Sequence, residues 1–339
     1  MGFVGKVAAL ATMVALGLSH PASAEELTKV TMVGSGSGMV HMSIFLAEEL
    51  GFFKEQGIDF ESVDIPGGAT AAAAVLSGDA QIMNGSPTNV INAQEHGQDL
   101  TCFGSNFVQF ANGYVIQGDV AKKLGLTDAT PVEDRLKALK GLTIGVTAAG
   151  SNSDQLVRYL AKNVGLDPDK DMTIVPVGAA NVMLAAFAQH RIDAFTVSSP
   201  TAETAVANNG AYMLLNLANG EFKPLDGYLL GCLVARQAWL KDNPKLAVGM
   251  LKAMSKAANL IRTDPEGTKA AIAKDYKGVD PAIFAAAYET NRYGFPASPR
   301  VTPESIEENY DFIEQSTGKR PTLDPAKVYT NDYVDQAGL

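Results

Sequence analysis

Two short corners of this 339-residue chain end an apolar strand on serine and continue with proline: Asn84-Gly85-Ser86-Pro87-Thr88 and Ser198-Ser199-Pro200-Thr201. Their chemistry is donation, not attack. Serine and asparagine at the mouth of a helix compete for its free N–H groups, and proline presets the first helical residue. The helix N-terminus itself offers unpaired donors and partial positive charge to an anion. Four more turns share this composition, at 34–38, 67–69, 148–153 and 178–181. Glycine in such turns lets backbone approach a ligand closely. The candidate ligand-binding residues are therefore Ser35, Gly36, Ser37, His41, Gly68, Asn84, Ser86, Ser151, Asn152, Ser153, Asn181, Ser198 and Ser199. His41 is the one histidine of these turns. Asp154 reads as a first-turn charge complementing its helix.

Catalytic readings find little support. "GSGSGM" (34–39) follows a strand, but the third glycine of a dinucleotide fingerprint falls on Met39. No P-loop, H-E-x-x-H or G-x-S-x-G occurs, and no histidines pair at metal spacing. No catalytic residue, metal ligand or cofactor is assigned. Capture of a small anion needs none of these. Each helix end is worth ~0.3–1 kcal/mol and each hydrogen bond to a charged group roughly 1.5–3 kcal/mol. Three or four such contacts reach micromolar affinity, about −8 kcal/mol, after ordering costs.

The elements that must position these turns alternate strand and helix. Strands are predicted at 29–35, 59–65, 80–86, 100–105, 113–118, 142–147, 172–177, 194–199, 212–217 and 228–236, with helical stretches between the earlier ones. Such alternation predicts parallel α/β sheets. The span 65–88 also lies over 175–201: Pro66 and Gly68 match Pro176 and Gly178, and Ser86-Pro87-Thr88 matches Ser199-Pro200-Thr201. The expected architecture is therefore two α/β lobes, each carrying three strand–turn–helix corners. After residue 236 only helices follow, with Pro244, Pro265, Pro281 and Pro303 near their first turns. They need an apolar surface, which the first lobe supplies if the second is an insertion. The expected domains are 1–24 apart, 25–113 with 226–339 as lobe one, and 114–225 as lobe two, hinged near 113–118 and 222–228.

Residues 1–24 read as a secretory signal: Lys6, an apolar core over 7–18, and Ala22-Ser23-Ala24 as cleavage site. A 12-residue core falls short of the ~20 residues that span a bilayer. No cysteine follows for a lipid anchor, so an exported, periplasmic, unanchored chain is expected. The net charge of −10, one unit more negative without the signal, argues against nucleic acid and anionic membranes as partners. The 19% of charged residues is that of an ordinary globular chain rather than a disordered one.

With these residues in view, the span 139–205 resembles the substrate-binding proteins of ABC importers for nitrate, sulfonates and taurine. The resemblance is carried by "LKGLTIGV", a turn ending "GS", "GLDPDKD", "VPVG" and "RIDAF…P", and by "FLAEELGFFKEQGIDFE" at 45–61. It extends from about residue 28 to "TPESIEENYDFIEQSTG". It implies a type II periplasmic-binding fold of two α/β lobes, hinge closure on a small organic anion, and delivery to a permease and its ATPase by a monomer. It also implies that the returning strand lies beside the last strand of lobe one, making Cys102 and Cys232 neighbours able to form a disulfide. Thiamine-pyrimidine synthases share the fold and supply an enzyme alternative, but their cysteine-rich motif is absent here. A periplasmic sensor module is the third reading, since it would use the same cleft.

Overall fold

The computed structural model describes residues 1–2, 26–34, 38–65 and 67–339. The expected export signal beyond Gly2, the candidates Ser35, Gly36 and Ser37, and Pro66 lie outside the described residues. Among the described residues ten strands form: β1 Thr28–Gly34, β2 Ile58–Asp64, β3 Ile82–Gly85, β4 Thr101–Phe107, β5 Asn112–Ile116, β6 Thr143–Val146, β7 Thr173–Pro176, β8 Ala194–Ser198, β9 Tyr212–Asn216 and β10 Gly231–Ala235. Each falls within or beside a stretch the sequence predicts.

The strands build two five-stranded sheets, ordered β2-β1-β3-β10-β4 and β7-β6-β8-β5-β9. Adding five to each label of the first three turns one sheet into the other, so the repeat read from the sequence is a repeat of topology. The expectation of purely parallel sheets needs correcting. β10 runs antiparallel to β3 and β4, and β5 antiparallel to β8 and β9. Each is the strand by which the chain first enters a sheet from the other side, so it arrives pointing the opposite way. These exchanged strands are almost wholly buried, which is why "GCLVA" and "GYVI" read as continuous apolar runs.

The chain crosses between sheets at 108–111 and again within 217–230. The first crossing precedes the expected 113–118, which is mostly β5 and is paired on both sides. The late helices start on proline as expected. Pro244–Thr263 buries Ala247, Met250, Leu251, Met254, Ala257, Ala258 and Ile261 at three- and four-residue spacing, against Met42–Glu49 and Asp332–Ala337. Two others do not stay with the first sheet. Pro281–Asn291 touches both the Met39–His41 turn and the Thr201–Asn209 helix. Pro303–Thr317 packs on Asn152–Asn163, where the Phe312 ring lies 4.9 Å from Tyr159 and 5.2 Å from Tyr228, and Lys162 Nζ donates to Ser316 O at 3.0 Å. Their buried rings join different cores, Phe284 and Tyr288 the one around the first sheet and Phe312 the one around the second.

Cys102 on β4 and Cys232 on β10 form a disulfide, with Cα atoms 5.9 Å apart and both residues fully buried. Among the described residues no helix is long and apolar enough to cross a membrane.

Candidate functional site

All six expected corners follow the carboxyl ends of parallel strands: β1, β2 and β3 in one sheet, β6, β7 and β8 in the other. Open α/β sheets bind ligands at these ends. The corners differ in how their helix N-termini are satisfied. Ser86 is the N-cap of Pro87–Glu95: its Oγ accepts from Asn89 N, while Asn89 Oδ1 accepts from Ser86 N. Ser151 caps Asn152–Asn163 by accepting from Asp154 N. Its Oγ, Ser153 Oγ and Thr147 Oγ1 form a closed triangle at 2.9–3.0 Å, so these hydroxyls bond within their own turn. Asn152 is half-buried at the first helical position. Gly68 and Ala180 open the matched helices Gly68–Ser77 and Ala180–Ala188, whose N-caps Gly67 and Ala179 supply no side-chain acceptor. Asn181, in the second of these first turns, is exposed. The helices after β1 and β8 likewise lack a side-chain cap, so four of the six corners leave first-turn backbone donors without a side-chain acceptor.

The β3 and β8 corners, similar in sequence, are built differently. Pro87 begins its helix as expected. Pro200 does not: it follows a cis peptide bond, occupies the N-cap, and Thr201 is the first helical residue. Ser199 is fully buried and its Oγ donates to Glu203 Oε1 at 2.6 Å.

This second corner meets the first sheet directly. Met39 N donates to Ser199 O at 3.0 Å, and a Cβ on Gly38 would sit 2.7 Å from Ser198 Oγ. Gly38 O in turn accepts from Tyr276 Oη at 3.3 Å. His41 and Asn84 both border Gly34, whose missing Cβ would be 3.6 Å from His41 Nε2 and 3.5 Å from Asn84 Cβ. His41 is buried, and neither ring nitrogen has a hydrogen-bond partner among the described residues. Burial pulls its pKa down to about 4, against an opposing pull from Asp64, so the ring is neutral at pH 7. Glu203 is shifted the other way: burial raises its carboxyl, opposed by the Ser199 hydrogen bond. Its Oε2 is buried without a partner.

The structure thus brings His41, Asn84, Ser198 and Ser199 to one seam between the sheets. Gly68 joins the Ser86 corner, since a Cβ there would collide with Asn89 Nδ2. Ser151, Asn152, Ser153 and Asn181 stand on their own turns. Sequence reasoning missed Ser43, Asn106, Tyr276 and Glu203. Asn106 had a signal: Ser105-Asn106 are polar residues inside a strand that is buried along its whole length. Tyr276 arrives from a distant helix and had none. A separate cavity of about 400 Å³, lined by Phe45, Glu48, Phe53, Asp59, Lys274 and Asp275 among others, shares no residue with these corners.

Two sheets of identical strand order, each lending one strand's entry to the other and facing helix N-termini across a seam, define the two-lobe fold of periplasmic binding proteins. Solved structures with this fold align closely. The alkanesulfonate-binding protein SsuA of Xanthomonas axonopodis pv. citri, bound to MOPS, superposes with a TM-score of 0.67 at 18% identity, over 92% of this chain and 98% of that one. The periplasmic nitrate-binding protein NrtA of Synechocystis PCC 6803 gives 0.69 at 16% identity, over 92% and 89%. The chain belongs to the NMT1/THI5-like family, which it matches over residues 39–268. YtlA of Bacillus subtilis (strain 168), provisionally named a binding protein, is 24% identical over 92% of this chain and 89% of its own length.

Proposed function

We propose that this protein is the solute-capturing component of an ABC importer, exported to the periplasm with residues 1–24 removed. It closes as a monomer on a small organic anion and presents it to a permease and its ATPase. Sulfonates, taurine-like compounds and aliphatic or aromatic carboxylates form the ligand class, with nitrate as its smallest member. In this reading the lobes are 25–113 with 226–339, and 114–225, the first boundary shifted to the crossing at 108–111. Ligand docks on His41, Asn84 and the Gly68 helix end. Closure then adds Ser198, Ser199 and the amide ends near Ser151–Ser153 and Asn181, because the closed state makes more contacts with ligand.

The observation that carries this reading is the bond from Met39 N to Ser199 O, by which the turn after β1 and the corner after β8 oppose each other across a seam lined with polar groups unpartnered among the described residues. Relatives named as binding proteins for sulfonate and nitrate favour capture over catalysis. The test is a thermal-shift screen of alkanesulfonates, taurine, aromatic acids, nitrate and pyrimidines, followed by small-angle scattering. A true ligand at 100-fold its Kd stabilises by about 2.7 kcal/mol and reduces the radius of gyration. Stabilisation by pyrimidines alone would move the protein to the enzyme reading. A stabilising ligand without compaction would remove the closing mechanism.

A further inference from the structure

We infer that Asn106 sets the polarity of the first-sheet jaw, by holding the Asn84 side chain with its amide nitrogen free for the ligand. The inference rests on the cleft reading above. The two ends of an asparagine amide have nearly the same outline, so their identity follows from their neighbours. Here the neighbours leave one solution. One terminal atom of Asn106 lies 3.4 Å from Val40 O and 3.1 Å from Asn84; the other takes the Ser43 hydroxyl at 2.8 Å. A backbone carbonyl only accepts, so the atom facing Val40 is Nδ2. The same nitrogen faces Asn84, which must meet it with Oδ1. Asn84 Nδ2 is the end left over, and it donates to no described residue. Ser43 is fully buried and Asn106 nearly so, which keeps water from exchanging the roles.

A second observation marks the spot as a place for a ligand. His41, which like Asn84 borders the side-chain-free Gly34, is 8% exposed with both ring nitrogens unpartnered among the described residues. Buried polar groups in native proteins are ordinarily bonded. A neutral imidazole brings one N–H and one acceptor nitrogen, and Asn84 brings its amide N–H groups. Donors outnumber acceptors at this jaw, so the oxygens of a sulfonate or carboxylate suit it better than an ammonium group. Asn106 touches no ligand in this scheme. It is a positioning residue, acting through Asn84.

The first test uses ligand-free, full-length, isotope-labelled protein and side-chain amide hydrogen exchange by NMR. The Asn106 NH2 is expected to be protected and the Asn84 NH2 to exchange freely; the reverse overturns the inference. The second test uses ethanesulfonate as probe. Asn106→Ala should weaken its binding about 10-fold or more, the worth of a hydrogen bond to a charged group, while in an Asn84→Ala background it should change nothing further. Equal losses in both backgrounds, or no loss in either, would assign Asn106 a merely structural role. If ethanesulfonate fails to bind the unsubstituted protein, the proposed ligand class fails, and the exchange measurement still decides the role of Asn106.

Discussion

The two sheets share one strand order, yet the seam between exchanged strand and edge strand differs in each. In the first sheet, β10 and β4 are joined by the Cys102–Cys232 disulfide, and Cys102 also bridges to Tyr329. In the second, β5 and β9 are held by ladder bonds and apolar packing alone. The cross-linked residues are 130 apart, and the whole second sheet lies between them. The disulfide therefore encircles the inserted lobe at its base and fastens the returning strand to the sheet it must rejoin. An insertion of this length leaves β10 with the larger chain entropy to lose, and a cross-link there limits the unfolded state most. Replacing both cysteines with serine should cost about 2–5 kcal/mol. Hydrogen exchange would show where: protection should fall in β4 and β10 more than in β5 and β9. Equal loss in both sheets would mean that the disulfide does not distinguish the lobes.

A second contrast lies in the buried titratable groups on the two sides of the seam. His41 has its pKa lowered from 6.5 to about 4 by burial. Between those values the unfolded chain binds a proton that the folded one does not, so stability rises with pH and is lost on acidification. The size is about 3 kcal/mol by the usual 1.36 kcal/mol per unit. Glu203 has a raised carboxyl, chiefly from burial, so above the ordinary carboxylate range the folded state holds more proton than the unfolded. Its contribution falls as pH rises. His41→Asn should flatten the loss of stability between about pH 6.5 and 4, whereas Glu203→Gln should stabilise at neutral pH with a benefit that shrinks as pH drops. Denaturant titrations across that range would show the two slopes. Matching slopes for both variants would refute the assignment of opposite burial effects. Ligand affinity should also not strengthen as pH falls through 6.5, as it would if His41 met the anion as a cation.

Much of this was legible in the chain. Alternating apolar runs located all ten strands, because a sheet buried on both faces leaves few other readings for "TIGV" or "AFTVS". The Ser-Pro repeat located the matched corners. What the pattern could not carry was direction: nothing in "GYVI" or "GCLVA" says that these strands run antiparallel, since that follows from which sheet the chain has just left. Cap chemistry was ambiguous for a related reason. Ser86 and Ser151 have the same sequence signature whether they hold their own helix or a ligand, and the structure has both capping. Ser43, Asn106 and Tyr276 come to the seam from a helix, a strand and a distant short helix, so no local spacing links them.

The jaws themselves can be pushed apart at Gly38. Its missing side chain allows Met39 N to reach Ser199 O, and a Cβ would press on Ser198 Oγ and lie 3.6 Å from Ser199 O. The three atoms nearest such a Cβ all belong to Ser198 and Ser199, so the cost of Gly38→Val should fall on the contact between the sheets, with a loss of about 1 kcal/mol for the Met39–Ser199 bond in the absence of ligand. The substitution should hinder closure and forfeit the second lobe's share of the contacts. Loss of one or two hydrogen bonds to a charged group amounts to about 100-fold in affinity. Calorimetry with the best ligand of the screen measures the loss, and scattering should show the compaction on binding to be reduced. Unchanged affinity would mean that ligand is held by the first lobe alone.

The smallest effects separate the twin corners most sharply. Ser86→Ala removes an N-cap, with an expected cost of about 1 kcal/mol. No ionisable partner is involved, since the bonds it loses are to Asn89 N and Asn89 Oδ1, so the cost should be the same at pH 5 and pH 8. Ser199→Ala removes the hydroxyl that donates to the buried Glu203 carboxyl. At neutral pH that leaves the carboxylate short of a donor in a site where Oε2 already has none, again about 1 kcal/mol. This cost must shrink as pH falls and the carboxyl takes up its own proton, and it should vanish from the pH profile in a Glu203→Gln background. Two serines matched in sequence would then be told apart by pH alone. A pH-independent cost at Ser199 would show that its hydroxyl serves only packing, and the β8 corner would become a second copy of the β3 corner in chemistry as well as in sequence.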